Sequence, residues 1–282
     1  KAVIWAHDNG LKTSSELIFG LPYETKQSFL DALEFIMHMK VDTMAAHQLL
    51  LIKGVELNRK EERKRFNIST KYRPSFASAY DIFDGDFVCE SEEVAVSSSH
   101  FNYEDYMDVR KVSLMFYIVN AMEYFKKVIN YLVENDQNVL PLLDAIMNPP
   151  GANAVAGGYE KFVEDFVFDS NSELFDSHEE VAADLLVKFS NNSNKVAAPI
   201  RLNVYYASRL IYKEGWFSEV ISQYLEDADV DLRHSTILRE LMTISENEWI
   251  DIKEPERGNE VMVSKETLEY LNIPVPQSDA RQ

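Results

Sequence analysis

One carboxylate, Glu16, sits at the head of a β-prone run, Leu17-Ile18-Phe19, that stops on Gly20 and turns at once into a helix. A charged group in a covered parallel strand is costly unless a partner takes up its charge. Strand alternation puts Glu16, Ile18 and Gly20 on one face and Ser15, Leu17 and Phe19 on the other. Glu16 therefore has two readings: a contact to the hydroxyls or amine of a ligand, or an ion pair with a neighbouring Lys or Arg. Gly20 permits a backbone conformation or a close ligand approach that a Cβ would block. In α/β folds ligands sit at the carboxyl ends of strands, which directs attention to Gly20 through Glu24. His47 and Gln48 lie late in a second apolar segment, where one of the two must face inward; His47 alone is read as a structural hydrogen-bonding group.

Other chemistry finds little support in the spacing. The six histidines show no HxxxH or HxH pattern, and one cysteine, Cys89, makes neither a disulfide framework nor a multi-cysteine metal site. There is no GxSxG, phosphate loop or GxGxxG. No metal ligand and no catalytic residue is assigned, and the acidic group Glu90, Glu92, Glu93 reads as a solvated face.

The elements that position Glu16 follow from periodicity. Ala2 to Asn9 reads as a helix stopped by Gly10, and Leu17 to Phe19 as a strand. Thr25 N-caps a helix to Met39 whose stripe is Phe29, Leu33, Ile36 and Met37. Val41 to Leu51 is a second strand, parallel to the first because a whole helix separates them. Glu56 to Phe66 is a charged helix. This order is a slice of a β/α barrel or open sheet over residues 1–66, and residues 67–102 form a connector with β-prone pieces at Phe83 to Cys89 and Glu93 to Val96. Residues 103–282 read as a mainly helical domain with a polar tail. Its helices are Tyr103 to Val133, Tyr159 to Phe168, His178 to Phe189, Ile200 to Tyr212, Phe217 to Leu225 and Asp231 to Ser245, with one possible strand at Val261 to Val263.

The 282 residues carry a net charge of −19, and the excess is uneven. Residues 1–66 hold ten basic and nine acidic side chains, which leaves 18 basic and 38 acidic for the rest. Such a surface repels phosphate backbones, so no nucleic-acid partner is expected. No apolar run approaches the roughly 20 residues of a membrane span. A single cysteine fits a reducing cytoplasm, and Lys1 reads as a cut point within a longer polypeptide.

Glu16 to Thr25, ELIFGLPYET, followed by Lys-Gln-Ser-Phe, resembles the fifth-strand segment of radical S-adenosylmethionine enzymes. Leu51-Ile52-Lys53-Gly54-Val55-Glu56-Leu57 is similar to that family's sixth strand and its G-T-x-L continuation, with Val55 where Thr is usual. Lys71-Tyr72-Arg73 and Asn102 to Arg110 resemble the subgroup that often carries an amino-terminal cobalamin-binding domain. The resemblance spans about residues 1–120. It implies the carboxy-terminal units of a partial (β/α)6 barrel, a [4Fe-4S] cluster held by a C-x3-C-x2-C loop, and cleavage of S-adenosylmethionine to a radical. This chain lacks the cysteine triplet, so the cluster ligands would lie outside it, and cobalamin would belong to a further domain. By the family's layout Glu16 contacts S-adenosylmethionine, while Gly20, Leu21 and Leu50 lie near its adenine. The substrate is left open. The alternative is a noncatalytic remnant, or a module whose acidic helices bind a protein partner.

Overall fold

The computed structural model describes residues 1–75, 80–149, 158–191, 201–248 and 261–274. It is a mixed α/β protein in which helices dominate, with three two-stranded sheets among the described residues. Helix α1 (Ala2–Asp8) leads into β1 (Ser14–Phe19), α2 (Lys26–His38) and β2 (Thr43–Gln48). Strands β1 and β2 pair in parallel, with Glu16 beside Ala45 and Ile18 beside His47. This is the expected strand, helix, strand unit, and the expected cap is in place: Thr25 Oγ1 accepts from Ser28 N at 3.1 Å, and Ser28 Oγ accepts from Thr25 N at 2.9 Å. The parallel sheet stops at these two strands, and no closed barrel forms among the described residues.

The charged helix expected over Glu56 to Phe66 is instead a 3-10 turn, Glu56–Asn58, and a short α3 (Lys60–Arg65), separated by extended Arg59. The connector holds more sheet than its sequence suggests. Strand β3 (Ser69–Pro74) pairs antiparallel with β6 (Ser91–Ser97), and β4 (Tyr80–Phe83) forms a hairpin with β5 (Asp86–Cys89). The β-prone piece expected over Phe83 to Cys89 is thus cut by an Asp84-Gly85 turn with both residues at positive φ, the usual chemistry of a two-residue hairpin.

The long helix expected over Tyr103 to Val133 is two helices, α4 (Tyr103–Asn120) and α5 (Lys126–Glu134). Between them Glu123 and Phe125 adopt positive φ. The break swings Phe125 into the core against Tyr124 and Phe217, at ring separations of 4.9 and 5.1 Å. No glycine or proline marks it, so packing rather than propensity decides the conformation. Helix α6 (Leu140–Ile146) had no clear signal, being short and opened by a proline in its first turn. Then follow α7 (Tyr159–Ser172), α8 (His178–Asn191), α9 (Leu202–Lys213), α10 (Phe217–Asp227), α11 (Thr236–Asn247) and α12 (Lys265–Tyr270). Asp231–His234 is a 3-10 turn before α11, with Ser235 as the N-cap. Val261 to Val263 is not a strand, and Met262 is exposed. Ile200, where one of the expected helices begins, and much of the polar tail lie outside the described residues.

Helix α4 is the hub. Its apolar run from Val112 to Val119 is buried almost all round, because β2, α6, α7 and α9 pack on it from different sides. One contiguous core runs from Phe19, Phe29 and Leu33 through α4 to Leu238 and Leu241. Charge pairs tie the strands into it. Arg73 donates to Glu92 at 3.0 Å and to Gln48 at 3.2 Å, and buried Arg110 reaches Glu173 at 3.1 Å and Asn203 at 3.1 Å. On α2, the Glu34 carboxylate accepts from Val139 N and Leu140 N and so caps the start of α6.

At the amino-terminal end of the sheet, Asp42 accepts from Thr13 N at 2.7 Å, Thr13 Oγ1 at 2.8 Å and His7 at 2.9 Å. The Thr13 backbone bond, helped by His7 and the Thr13 hydroxyl, holds its carboxyl far below the usual carboxylate range. A depressed folded-state pKa gives stability that is present above the unfolded value of about 4 and lost as pH falls through the folded one. Unfolding midpoints measured below pH 4 should therefore fall less steeply for Asp42→Asn than for the wild type; equal slopes would remove this contribution.

Candidate functional site

Strands β1 and β2 have unequal faces. Phe19 and Met44, on one side, are buried in the core. The other side carries Glu16, Ile18, Ala45 and His47, and is open: the Glu16 side chain is 70% exposed, that of His47 50%, and Ile18 is 41% exposed. Glu16 Oε2 lies 3.8 Å from His47 Nε2, across the strand pair. The side chain beside Glu16 is thus a histidine, neither the Lys nor the Arg of the ion-pair reading, and this exposed contact contributes little to folding, about 0–1 kcal/mol. The structure brings Glu16 and His47 together, and both remain free to meet a ligand.

At the carboxyl end of β1 the chain turns through Gly20-Leu21-Pro22-Tyr23-Glu24. Gly20 is buried at φ +104°, and an added Cβ would come within 3.3 Å of Leu49 Cβ and 3.4 Å of Phe101 Cζ. The space beside Gly20 is filled by protein, so both conformation and packing require glycine there. Its N–H donates to the Glu24 carboxylate at 2.7 Å, and burial pushes the Glu24 pKa up although bonds from the Gly20 and Leu21 N–H groups oppose it. Leu21 is partly exposed at the mouth of the turn. Leu50 is half-buried just past β2, where Leu49 N donates to Phe19 O at 2.9 Å and Leu51 N to Glu93 O at 2.8 Å.

This last segment is fixed by a second set of charges. Arg63 makes a two-pronged contact to Glu93, both bonds 2.7 Å, and also bonds Asn58, which holds Leu51 O at 2.9 Å. Burial of Glu93 works to raise its pKa, yet the bonds from Arg63 and Thr70 outweigh it and hold the group below the ordinary range. Glu93 is therefore no solvated acid, as its neighbours in sequence suggested, but a structural anchor.

Two residues of the turn were not singled out by type. Glu24 closes it from within, and Tyr23 takes φ +70° while 66% exposed. A non-glycine residue between Pro22 and Glu24 in so tight a turn was the available signal for Tyr23. Cys89 lies half-buried on the β4–β5 hairpin, where burial pushes its thiol pKa up. Among the described residues no cluster of three His, Cys, Asp or Glu could hold a metal ion, and no helix is long and apolar enough to cross a membrane. A groove of about 820 Å³ lies elsewhere, on the outer side of α7 along Val163, Val167 and Phe168; none of the site residues named from the sequence lines it. No protein-family model matches the chain, and no curated protein matches it.

Replacing Gly20 by alanine tests the turn. The new Cβ meets Leu49 at a left-handed φ, and the expected loss of stability in urea unfolding is about 1–3 kcal/mol. A loss below about 0.5 kcal/mol would mean that the turn relaxes freely.

Proposed function

We propose that this chain is the carboxy-terminal part of a radical S-adenosylmethionine enzyme, contributing two strand-helix units of a partial (β/α)6 barrel and one wall of the S-adenosylmethionine site. The observation that carries the reading is the placement of Glu16. In a motif that resembles the family's fifth strand, its carboxylate stands on the uncovered face of a parallel pair, in the middle of β1 and four residues before the Gly20 turn at the carboxyl end, where such folds bind ligands. The parallel register and the intervening α2 support the same reading.

Glu16 then accepts hydrogen bonds from the ligand's ribose hydroxyls or its ammonium group, and orients it along β1. Ile18 supplies an apolar contact beside it, while Leu21 and the segment around Leu50 border the adenine end. The residues present do not fit an iron-sulfur cluster, since one cysteine cannot hold it and Cys89 lies on the hairpin. No step is derived through the cluster, and none through cobalamin, for which no residue here is assigned.

Glu16→Gln keeps the shape and removes the charge. Titration calorimetry on the full-length protein should show S-adenosylmethionine binding about ten- to hundredfold weaker, the equivalent of roughly 1.5–3 kcal/mol. The melting temperature should move by no more than about 2 °C, because the pair with His47 is exposed. Unchanged affinity with a clearly lowered melting temperature would make Glu16 a structural partner of His47 and remove it from the site.

A further inference from the structure

We infer that the groove along α7 is a docking site for an amphipathic helix of a partner protein, one whose apolar stripe is flanked by Lys or Arg, independently of the site proposed above. The groove, about 820 Å³, is built almost entirely by one stripe of α7, where Glu160, Val163, Glu164, Val167 and Phe168 recur at helical spacing, with Pro149 beside them. The opposite face of the helix is already committed to the core through Phe162 and Phe166. Its own packing therefore needs no second apolar stripe. Phe168 is nevertheless 70% exposed, and Val167 beside it is half-buried. A single exposed apolar side chain needs no explanation, but this one continues a groove that Val163 and Val167 also line.

The charges select the occupant. Glu160 and Glu164 line the groove one helical turn apart, a like-charge spacing that weakens a helix. Neither carboxylate has an ion-pair or hydrogen-bonding partner among the described residues. The basic residues of this region go elsewhere: Lys161 pairs with Asp165, and Arg209 of α9 bonds Asp165 and Glu214, both at 2.8 Å. Glu160 gains from the dipole of the first turn, and Glu164, a turn further on, does not. Two unmatched carboxylates beside an apolar groove fit a partner that carries cations beside an apolar stripe, which is how a helix is recognised in a groove. The same carboxylates turn away an anionic membrane surface and a second copy of this chain, which brings its own. From Glu160 to Ser172 the groove follows roughly 18 Å of helix at about 1.5 Å per residue, room for a partner helix of about three to four turns.

The test uses the full-length protein and a fluorescein-labelled peptide of about 14 residues, made of leucine and lysine with the leucines on one helical face. A scrambled peptide of the same composition and a leucine-glutamate peptide of the original pattern serve as controls. Anisotropy titration should show the patterned cationic peptide bound and both controls about tenfold weaker or more. Phe168→Ala should weaken binding about fivefold or more, and Glu160→Gln with Glu164→Gln about threefold or more, each without a lower melting temperature. Glu219→Gln with Glu266→Gln removes the same charge from exposed sites on α10 and α12, and should bind as the wild type does. Equal binding of patterned and scrambled peptides, or equal weakening by the Glu219 and Glu266 pair, reduces the effect to general attraction by an acidic protein and overturns the inference. Full affinity in Phe168→Ala, or a wild-type protein that binds no peptide, overturns it as well. A wild-type dimer that Phe168→Ala abolishes in sedimentation gives the groove to a second copy and overturns it likewise.

Discussion

The parallel register between β1 and β2 is the constraint on which the rest depends. It sets Phe19 and Met44 against α2 and α4 and leaves Glu16, Ile18 and His47 on the other side. A slip of one residue would send Phe19 to solvent and Glu16 into the core, exchanging a large apolar burial for an unpaired buried charge. The register is therefore strongly specified although only two strands carry it. Asp42 pins one end of the pair through Thr13, and the Gly20 turn, packed on Leu49 and Phe101, pins the other.

Burial on one side alone needs a firm support, and the helical part supplies it. Helix α4 packs on β2 and is itself surrounded by α6, α7 and α9. Arg73 and Arg110 meet Glu92 and Glu173 at this junction, largely out of solvent. Removing one member of such a set leaves an uncompensated charge, so these residues fix position more than they add net stability. The same holds for Arg63 and Glu93, which hold the Leu49 to Leu51 segment beside β6. Polar groups in the interior act as locating pins, and the polar groups left on the open face are those available for binding.

The units around the site were legible because local and tertiary preferences agree there. Thr25 caps where a cap was expected, Phe29, Leu33, Ile36 and Met37 are buried where the stripe placed them, and the strands run parallel as the intervening helix required. Legibility failed where tertiary packing overrode local pattern. Nothing in the run Ala121 to Phe125 announces a break, since the backbone is turned by the burial of Phe125. Glu93 looked like one of three surface acids because its partners, Arg63 and Thr70, are distant in sequence. Tyr23 lies inside the Gly20 to Glu24 stretch that the sequence pointed to but was given no role there, for the same reason: its positive φ and its contacts with Phe66 and His100 are properties of the folded turn. The motif from Glu16 to Thr25 pointed to the right strand end, while the residue that closes the turn, Glu24, needed the structure.

The central claim is that the open face of β1 and β2, with the turn that follows, is where this protein meets its ligand. Backbone amide shifts of the isotopically labelled protein, followed by NMR during titration with S-adenosylmethionine, test it most directly. The account predicts saturable shifts confined to Glu16 through Glu24 and Ala45 through Leu50. Shifts confined to the α7 groove along Val163, Val167 and Phe168, or no saturable shifts at all, would contradict it.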